Sequence, residues 1–188
     1  QRYLAEIKDE LPEVDVFLGT NDYEKILDAL EQTKREYVSY CESGALKGRI
    51  LTTPPHYAYL KIADGCDNHC TYCMIPSIRG KYRSTPIEQL IEEAQELVKS
   101  GVKELILVAQ DVTRYGFDLY GKYALIELIR RLSKLDLTWI RLMYCYPELV
   151  SDELIEEISS NEKVAKYIDI PLQHVDDGVL RRMNRKSN

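Results

Sequence analysis

The sequence predicts an α/β fold: a parallel βα series, a barrel or an open sheet cut short, preceded by the tail of another α/β domain. Three observations carry this. From residue 57 onward, strand-length apolar segments alternate with amphipathic helical segments, the pattern of parallel βαβ units. One of those segments, ELILVAQ (104–110), is a continuous apolar run, as expected for a strand covered on both faces. The stretch CESGALKGRILTTPPH (41–56) holds two glycines and two prolines and separates this series from what precedes it.

In chain order, VDVFLG (14–19) reads as a short buried strand. DYEKILDALEQTKREY (22–37) reads as a helix with Ile26, Leu27 and Leu30 on one face and Asn21 or Asp22 as its N-cap. A strand and a helix or two cannot bury a core alone. Residues 1–40 are therefore expected to be the tail of an N-terminal domain, 41–56 a linker, and 57–188 the βα series. YAYLKIA (57–63) alternates like a strand. TPIEQLIEEAQELVKSG (85–101) is a helix, with Pro86 in its first turn and Gly101 as its stop. ALIELIRRLSKL (124–135) is a helix, TWIRLMYCY (138–146) a strand ended by Pro147, and SDELIEEISS (151–160) a helix with a Ser or Asp cap. KYIDIPLQ (166–173) reads as a fourth strand, and DDGVLRRMNR opens another helix. Because the chain starts at Gln1 and stops one helix after this strand, it is expected to be a piece of a longer protein.

Composition narrows the class. Of 188 residues, 45% are hydrophobic and 30% charged, as in a globular protein. No apolar run reaches the roughly 20 residues of a membrane span, and the charged start has no secretory h-region, so a cytoplasmic protein without membrane attachment is expected. The net charge of -6 argues against a nucleic-acid footprint over the whole chain. Five cysteines with no secretory signal favour metal or redox chemistry over a disulfide scaffold.

Three of those cysteines lie within eight residues, in ADGCDNHCTYCMIPSIRGKYRS (63–84). Cys66, Cys70 and Cys73 have C-x3-C-x2-C spacing just after the first strand of the series, and in such folds chemistry collects at strand C-termini. Three readings compete. Buried structural thiols fit poorly in a loop that also holds Asp67, Asn68 and His69. Structural zinc takes four ligands, commonly as two separated pairs, and no second C-x2-C pair exists. An iron–sulfur cluster takes thiolates; three of them on a four-iron cube leave one iron open, the kind of position a catalytic metal keeps for substrate.

The motif and its place resemble the radical S-adenosylmethionine (SAM) superfamily over residues 57–188. The resemblance implies a TIM-like partial (βα) barrel, truncated here after the fourth strand. It implies a [4Fe–4S] cluster on Cys66, Cys70 and Cys73, with SAM chelating the fourth iron and cleaved on reduction to a 5′-deoxyadenosyl radical. Tyr72 holds the aromatic position before the last cysteine and would meet the adenine. GCDNHCTYCMIPSIRGKYRS, VAQDVTRYG (108–116), RLMYCYP (141–147) and PLQH (171–174) narrow the likeness to the methylthiotransferases. Within these, IPSIRGKYRS (75–84), VAQDVTRYG and RLMYCYP resemble the type that modifies an aspartate of a small-subunit ribosomal protein, while PLQH is shared with the type that modifies transfer RNA. Met143 departs from this pattern, where many relatives carry histidine. The opening QRY with VDVFLGTNDYEKI resembles the end of the family's N-terminal domain. The resemblance also implies a ribosomal-protein substrate, an electron donor, a second cluster on cysteines before Gln1, and RNA contact through a C-terminal TRAM-type module. Transfer RNA adenosine is the alternative substrate, and a zinc-stabilised RNA-binding module is the alternative of another class.

Other residues carry two readings each. Gln110 and Asp111 end the second strand, where they could meet the methionyl amino group or, for Asp111, cap a helix. Gln173 and His174 end the fourth strand, as SAM or substrate contacts or as a strand-end turn. His69 could bond a cluster sulfide or face water. Cys145 reads as a core thiol, and Cys41 has no ligand-spaced partner. Arg79, Lys81 and Arg83 around Tyr82 form a basic stripe, a solvated loop or an RNA or acidic-protein contact. No catalytic side chain stands out.

Overall fold

The computed structural model describes residues 3–19, 22, 25–31, 34–38 and 49–186. The chain divides into two compact units, Gln1–Ile50 and Leu51–Asn188, the division falling within the 41–56 stretch. Cys41 and Asn21 lie outside the described residues.

In the first unit, α1 (Leu4–Glu10) precedes β1 (Phe17–Leu18), α2 (Ile26–Leu30) and β2 (Glu36–Tyr37). β1 and β2 pair in parallel, Phe17 opposite Glu36 and Leu18 opposite Tyr37. This corrects the long helix read from 22 to 37. Its C-terminal end is a strand instead, because Tyr37 gains a buried place beside β1 and a bond from its hydroxyl to Asp28 O at 3.0 Å. The helical face also differs: Leu27 and Leu30 are 70% and 73% exposed, and Ala29 is buried. Asp22 is fully buried and accepts a bond from Lys25 Nζ at 2.6 Å.

The second unit is built on a parallel sheet of β3 (Tyr57–Lys61), β6 (Glu104–Val108) and β7 (Trp139–Leu142), in that spatial order. A small antiparallel pair, β4 (Ala63–Asp64) and β5 (Arg83–Ser84), interrupts the path from β3 to the first crossover. The register runs Tyr57 opposite Glu104 and Glu104 opposite Trp139. The helices are α3 (Ile75–Arg79), α4 (Ile87–Lys99), α5 (Phe117–Tyr120), α6 (Leu125–Leu132), α7 (Asp152–Ser160) and α8 (Asp177–Arg182). Period-2 alternation sends Ala58, Leu60, Leu105, Leu107, Ile140 and Leu142 to a buried face. The amphipathic helices α4 and α6 contribute Leu90, Ala94, Leu128 and Ile129 to the same core. The opposite face is more open. Ile106 and Val108 are half-buried and Tyr59 and Trp139 are exposed, so the apolar run of β6 is not covered equally on both sides.

Helix ends follow local chemistry. Ser151 caps α7 by accepting a bond from Leu154 N at 3.2 Å, and Asp176 caps α8 by accepting from Val179 N at 2.8 Å. Gly101, at φ 101°, ends the turn after α4.

The expected fourth strand is the main correction. Residues 166–173 form no ladder strand; an isolated parallel bridge joins Val164 to Ile140. Ile140 N donates to Lys163 O and Ala165 N to Ile140 O, as a parallel pair would. Tyr167 N then turns back to Ala165 O, and Cys145 N bonds Asp169 O, a pairing displaced by one residue. Pro171 next in line has no N–H to donate. The segment therefore runs along the β7 edge without joining the sheet.

Candidate functional site

Strand direction decides where the loops meet. The chain leaves β3 through β4 into the cysteine loop, leaves β6 into Ala109–Arg114, and leaves β7 into Met143–Tyr146. All three segments thus emerge at the C-terminal edge of one parallel sheet, and bonds tie them together. Asn68 Nδ2 donates to Asp111 Oδ2 at 3.2 Å, Val112 N to Tyr144 O at 3.1 Å, and Tyr146 N to Thr113 Oγ1 at 3.2 Å.

The cysteine loop is held at both ends. Gly65 turns it at φ 78°, and Cys66 N donates to Gly80 O at 3.2 Å. Cys73 N donates to Cys70 O at 3.0 Å and α3 follows at once. Each sulfur has a polar neighbour: Asn68 N points to Cys66 Sγ at 3.5 Å, Ile75 N to Cys73 Sγ at 3.4 Å, and the Tyr146 hydroxyl lies 3.9 Å from Cys70 Sγ. Cys66 is buried and Cys70 and Cys73 are half-buried. Burial pushes the Cys66 thiol up, the Asn68 backbone bond opposes this, and the charges of Asp111, Cys70 and Cys73 add to it. The three thiols therefore share one electrostatic neighbourhood.

Among the described residues no three or more His, Cys, Asp or Glu side chains are gathered to hold one metal ion. A structural zinc needs such convergence on a single point. A four-iron cluster takes each thiolate on a different iron, so three thiols on one loop, each beside a hydrogen-bond donor, suit it better. The donor set fits a cluster.

Buried polar atoms without a partner gather at the same edge: Gln110 Oε1 and Arg114 Nε after β6, Glu148 Oε2 after β7, and Arg185 Nε after α8. Such groups in a native fold call for an explanation, a missing ligand among them. Left-handed backbone at non-glycine residues also concentrates here, at His69, Tyr144, Gln173 and Asn184, which is where strain is tolerated for function.

The sequence-predicted residues sort unevenly. Gln110 is at this edge with its carbonyl oxygen free. Asp111 is fully buried and committed elsewhere: it accepts from Asn68 and from Thr113 N and Oγ1, with Arg114 Nε at 4.0 Å. Tyr72 is half exposed; burial, then its bond and proximity to Cys70, raise its hydroxyl pKa, and Arg185 opposes this. Gln173 and His174 are exposed in an irregular segment rather than at a strand end, and His174 Nδ1 accepts from Asp176 N at 2.9 Å. His69 is exposed. Cys145 is fully buried, as read.

The basic stripe is partly engaged within the chain, with Lys81 exposed. Tyr82 is buried with its hydroxyl donating to Asp111 O at 2.7 Å, Arg79 lies 3.6 Å from Asp64, and Arg83 Nη1 donates to the carbonyls of Arg79 and Lys81. Asn68, Tyr146 and Arg185 were not read from the sequence as site residues. Tyr146 and Arg185, and Asn68 in its bond to Asp111, meet partners distant along the chain, and no local pattern announces those meetings.

A parallel βα sheet with a three-thiol loop at its C-terminal edge is an arrangement suited to hold an iron–sulfur centre where such folds collect their chemistry. The chain belongs to the Radical SAM superfamily, which it matches over residues 60–188. It is 55% identical over 195 residues to the ribosomal protein uS12 methylthiotransferase RimO of Clostridium tetani (strain Massachusetts / E88), covering 100% of this chain and 44% of that protein. The protein of that name from Caldanaerobacter subterraneus subsp. tengcongensis is 55% identical over 192 residues, covering 98% and 44%. The chain thus spans under half the length of these curated relatives. Among solved structures, the radical SAM methyltransferase TsrM of Kitasatospora setae, with tryptophan and a SAM analogue bound, aligns with a TM-score of 0.54 at 14% identity. That alignment covers 67% of this chain and 23% of TsrM. TsrM with cobalamin and a [4Fe–4S] cluster aligns with a TM-score of 0.53 at 14% identity, covering 66% and 22%.

Proposed function

We propose that this chain is the radical-SAM core of a methylthiotransferase that inserts a methylthio group at the β-carbon of an aspartate in ribosomal protein uS12. The observation that carries the reading is the Cys66–Cys70–Cys73 loop at the sheet's C-terminal edge, in a chain 55% identical to a protein named as a ribosomal protein uS12 methylthiotransferase. Cys66, Cys70 and Cys73 would hold a [4Fe–4S] cluster, and Tyr72, Gln110 and Gln173 would face SAM. When bound and reduced by an external electron donor, the cluster would supply the electron that cleaves SAM to methionine and the radical that takes hydrogen from the substrate carbon.

The chain's own residues do the positioning. The N–H groups of Asn68 and Ile75 direct hydrogen bonds at the sulfurs of Cys66 and Cys73. The Asn68–Asp111 bond keeps the loop against the end of β6, beside Gln110. Gln110 Oε1 is a buried acceptor with no protein partner, suited to an ammonium donor such as the methionyl amine of SAM. Holding reactants in one geometry is worth several kcal/mol of barrier.

Incubating the full-length protein, reconstituted anaerobically, with SAM, sulfide, reductant and either uS12 or transfer RNA tests the reading by mass spectrometry. A methylthio adduct on the aspartate is expected; modification of the RNA alone would refute the substrate. Gln110→Ala is expected to weaken SAM binding about tenfold, the order of one lost hydrogen bond to a charged group. Calorimetry on cluster-loaded protein measures it, and unchanged affinity would remove Gln110 from the site.

A further inference from the structure

We infer that the turn closing α8, Arg182–Arg185, is the positioning element for the middle of the cysteine loop, with Asn184 as its principal residue. The inference rests on the reading of the three cysteines as cluster ligands and goes beyond it by naming what holds Cys70 in place.

The two ends of the loop are anchored locally, Cys66 by Gly80 and Cys73 by α3. The intervening stretch, His69 to Tyr72, takes its anchors from residues more than one hundred positions later. Thr71 N donates to Met183 O at 3.1 Å and Thr71 Oγ1 to Arg182 O at 3.2 Å. Asn184 Nδ2 donates to His69 O at 2.9 Å. These three bonds bracket Cys70 on both sides. His69 and Asn184 are both left-handed, at φ 47° and 56°, a conformation that Asn tolerates better than most residues. The Asn184 bond to its carbonyl helps hold His69 in that conformation.

The turn is itself well fixed. Met183 N donates to Val179 O, Asn184 N to Arg181 O and Arg185 N to Leu180 O, and Leu180 is buried. Buried Arg185 places its guanidinium 4.1 Å over the Tyr146 ring and donates from Nη2 to Pro171 O at 3.0 Å. Tyr146 is the residue whose hydroxyl lies beside Cys70. The same turn therefore meets the Cys70 region twice, through the loop backbone and through Tyr146. A ligand held by a supporting shell stays within about 0.5 Å of its working geometry. Asn184 acts through the loop backbone, so it is a positioning residue.

The test uses the full-length protein carrying Asn184→Asp, Asn184→Gly, Thr71→Val or Thr71→Ser. Asp keeps the shape but puts an acceptor against the His69 carbonyl. Gly keeps the left-handed backbone and removes only the side-chain bond. Cluster iron is counted as the iron that Cys66→Ala lacks. Its release to a ferrous chelator is expected to be about tenfold faster in Asn184→Asp, Asn184→Gly and Thr71→Val, the lower end of losses seen for partners of metal ligands. Thr71→Ser is expected to behave as wild type. In iron-free protein, hydrogen exchange of the peptide spanning residues 66–75 is expected to quicken in the same three variants at unchanged melting temperature. Wild-type exchange and iron release in Asn184→Gly would assign Asn184 a backbone role only and overturn the inference, as would wild-type behaviour of Asn184→Asp. The exchange arm decides the matter even if Cys66→Ala loses no iron, a result that would refute the ligand reading separately.

Discussion

The four described thiols share one chemistry and differ in surroundings. Cys66, Cys70 and Cys73 lie on one loop with hydrogen-bond donors beside them. Cys145 lies in the core, and burial, then the charges of Asp111 and Asp169, push its thiol up to about 12. Metal ligands and nucleophiles are thiolates, so Cys145 stays neutral and inert. Cys66→Ala, Cys70→Ala and Cys73→Ala are each expected to lose the cluster iron after anaerobic reconstitution, while Cys145→Ala keeps it. Equal loss in Cys145→Ala would show the ligands to be misassigned. The Cys145 shift also has a sign. Between the ordinary thiol value of 9.0 and about 12, the unfolded chain has released this proton and the folded chain has not. Unfolding then releases protons, so the stability contribution present below pH 9 falls as pH rises through that window. The buried hydroxyls of Tyr82 and Tyr115, raised chiefly by burial, act in the same direction above the ordinary tyrosine range. Urea midpoints measured from pH 8 to 11 should decline, less steeply in Cys145→Ala. Iodoacetamide at pH 8 should label Cys145 only in the unfolded chain.

Among the elements, the β4–β5 pair carries the cysteine loop on a turn that admits little change. A Cβ on Gly65 would sit 2.1 Å from Lys81 O and 2.7 Å from Gly80 O, in a left-handed backbone. Both obstacles are main chain and cannot swing aside. Gly65→Ala is expected to cost about 2–4 kcal/mol from strain and displaced backbone together. Because Cys66 N bonds the same Gly80 carbonyl, it should also lower iron retention. Thermal unfolding and iron content check both; a shift in melting temperature under 2 °C would mean that the pair gives way without cost. The failed fourth strand belongs to this scale as well. KYIDIPLQ has strand composition, but its neighbour along the β7 edge admits a parallel bridge and then slips by one residue. Composition reports the preference of a segment, and register is set by the edge it meets.

For the molecule as a whole, the described core draws on residues from Leu51 to Ile170, all within the second unit. Residues 51–188 alone are therefore expected to unfold in one cooperative transition, measured by circular dichroism against the 1–188 chain. A broad, non-cooperative melt would show that this core does not suffice. The apolar faces of α4 and α6 pack into that same core, and among the described residues no helix is long and apolar enough to cross a membrane.

The sequence by itself determined the α/β class, three of the four predicted strands in the second unit, the helices that cover them, and the three cysteines. These are local matters. Periodicity sorts buried from exposed positions along one element, and eight residues suffice to hold three thiols on a single loop. It also placed Gln110 at the end of a parallel strand, a legible position. What only the tertiary structure decided is how distant segments meet. Tyr82 looked like part of a basic stripe and is a buried strut on Asp111. Asp111, legible only as a cofactor contact or a helix cap, accepts bonds from Asn68 and Thr113. Tyr146, Asn184 and Arg185 reach the cysteine loop from β7 and α8. The physical reason is range. Hydrophobic period and turn chemistry act over a few residues, whereas a hydrogen bond between residues 184 and 69 exists only once a parallel sheet and its crossovers have brought their loops to one edge.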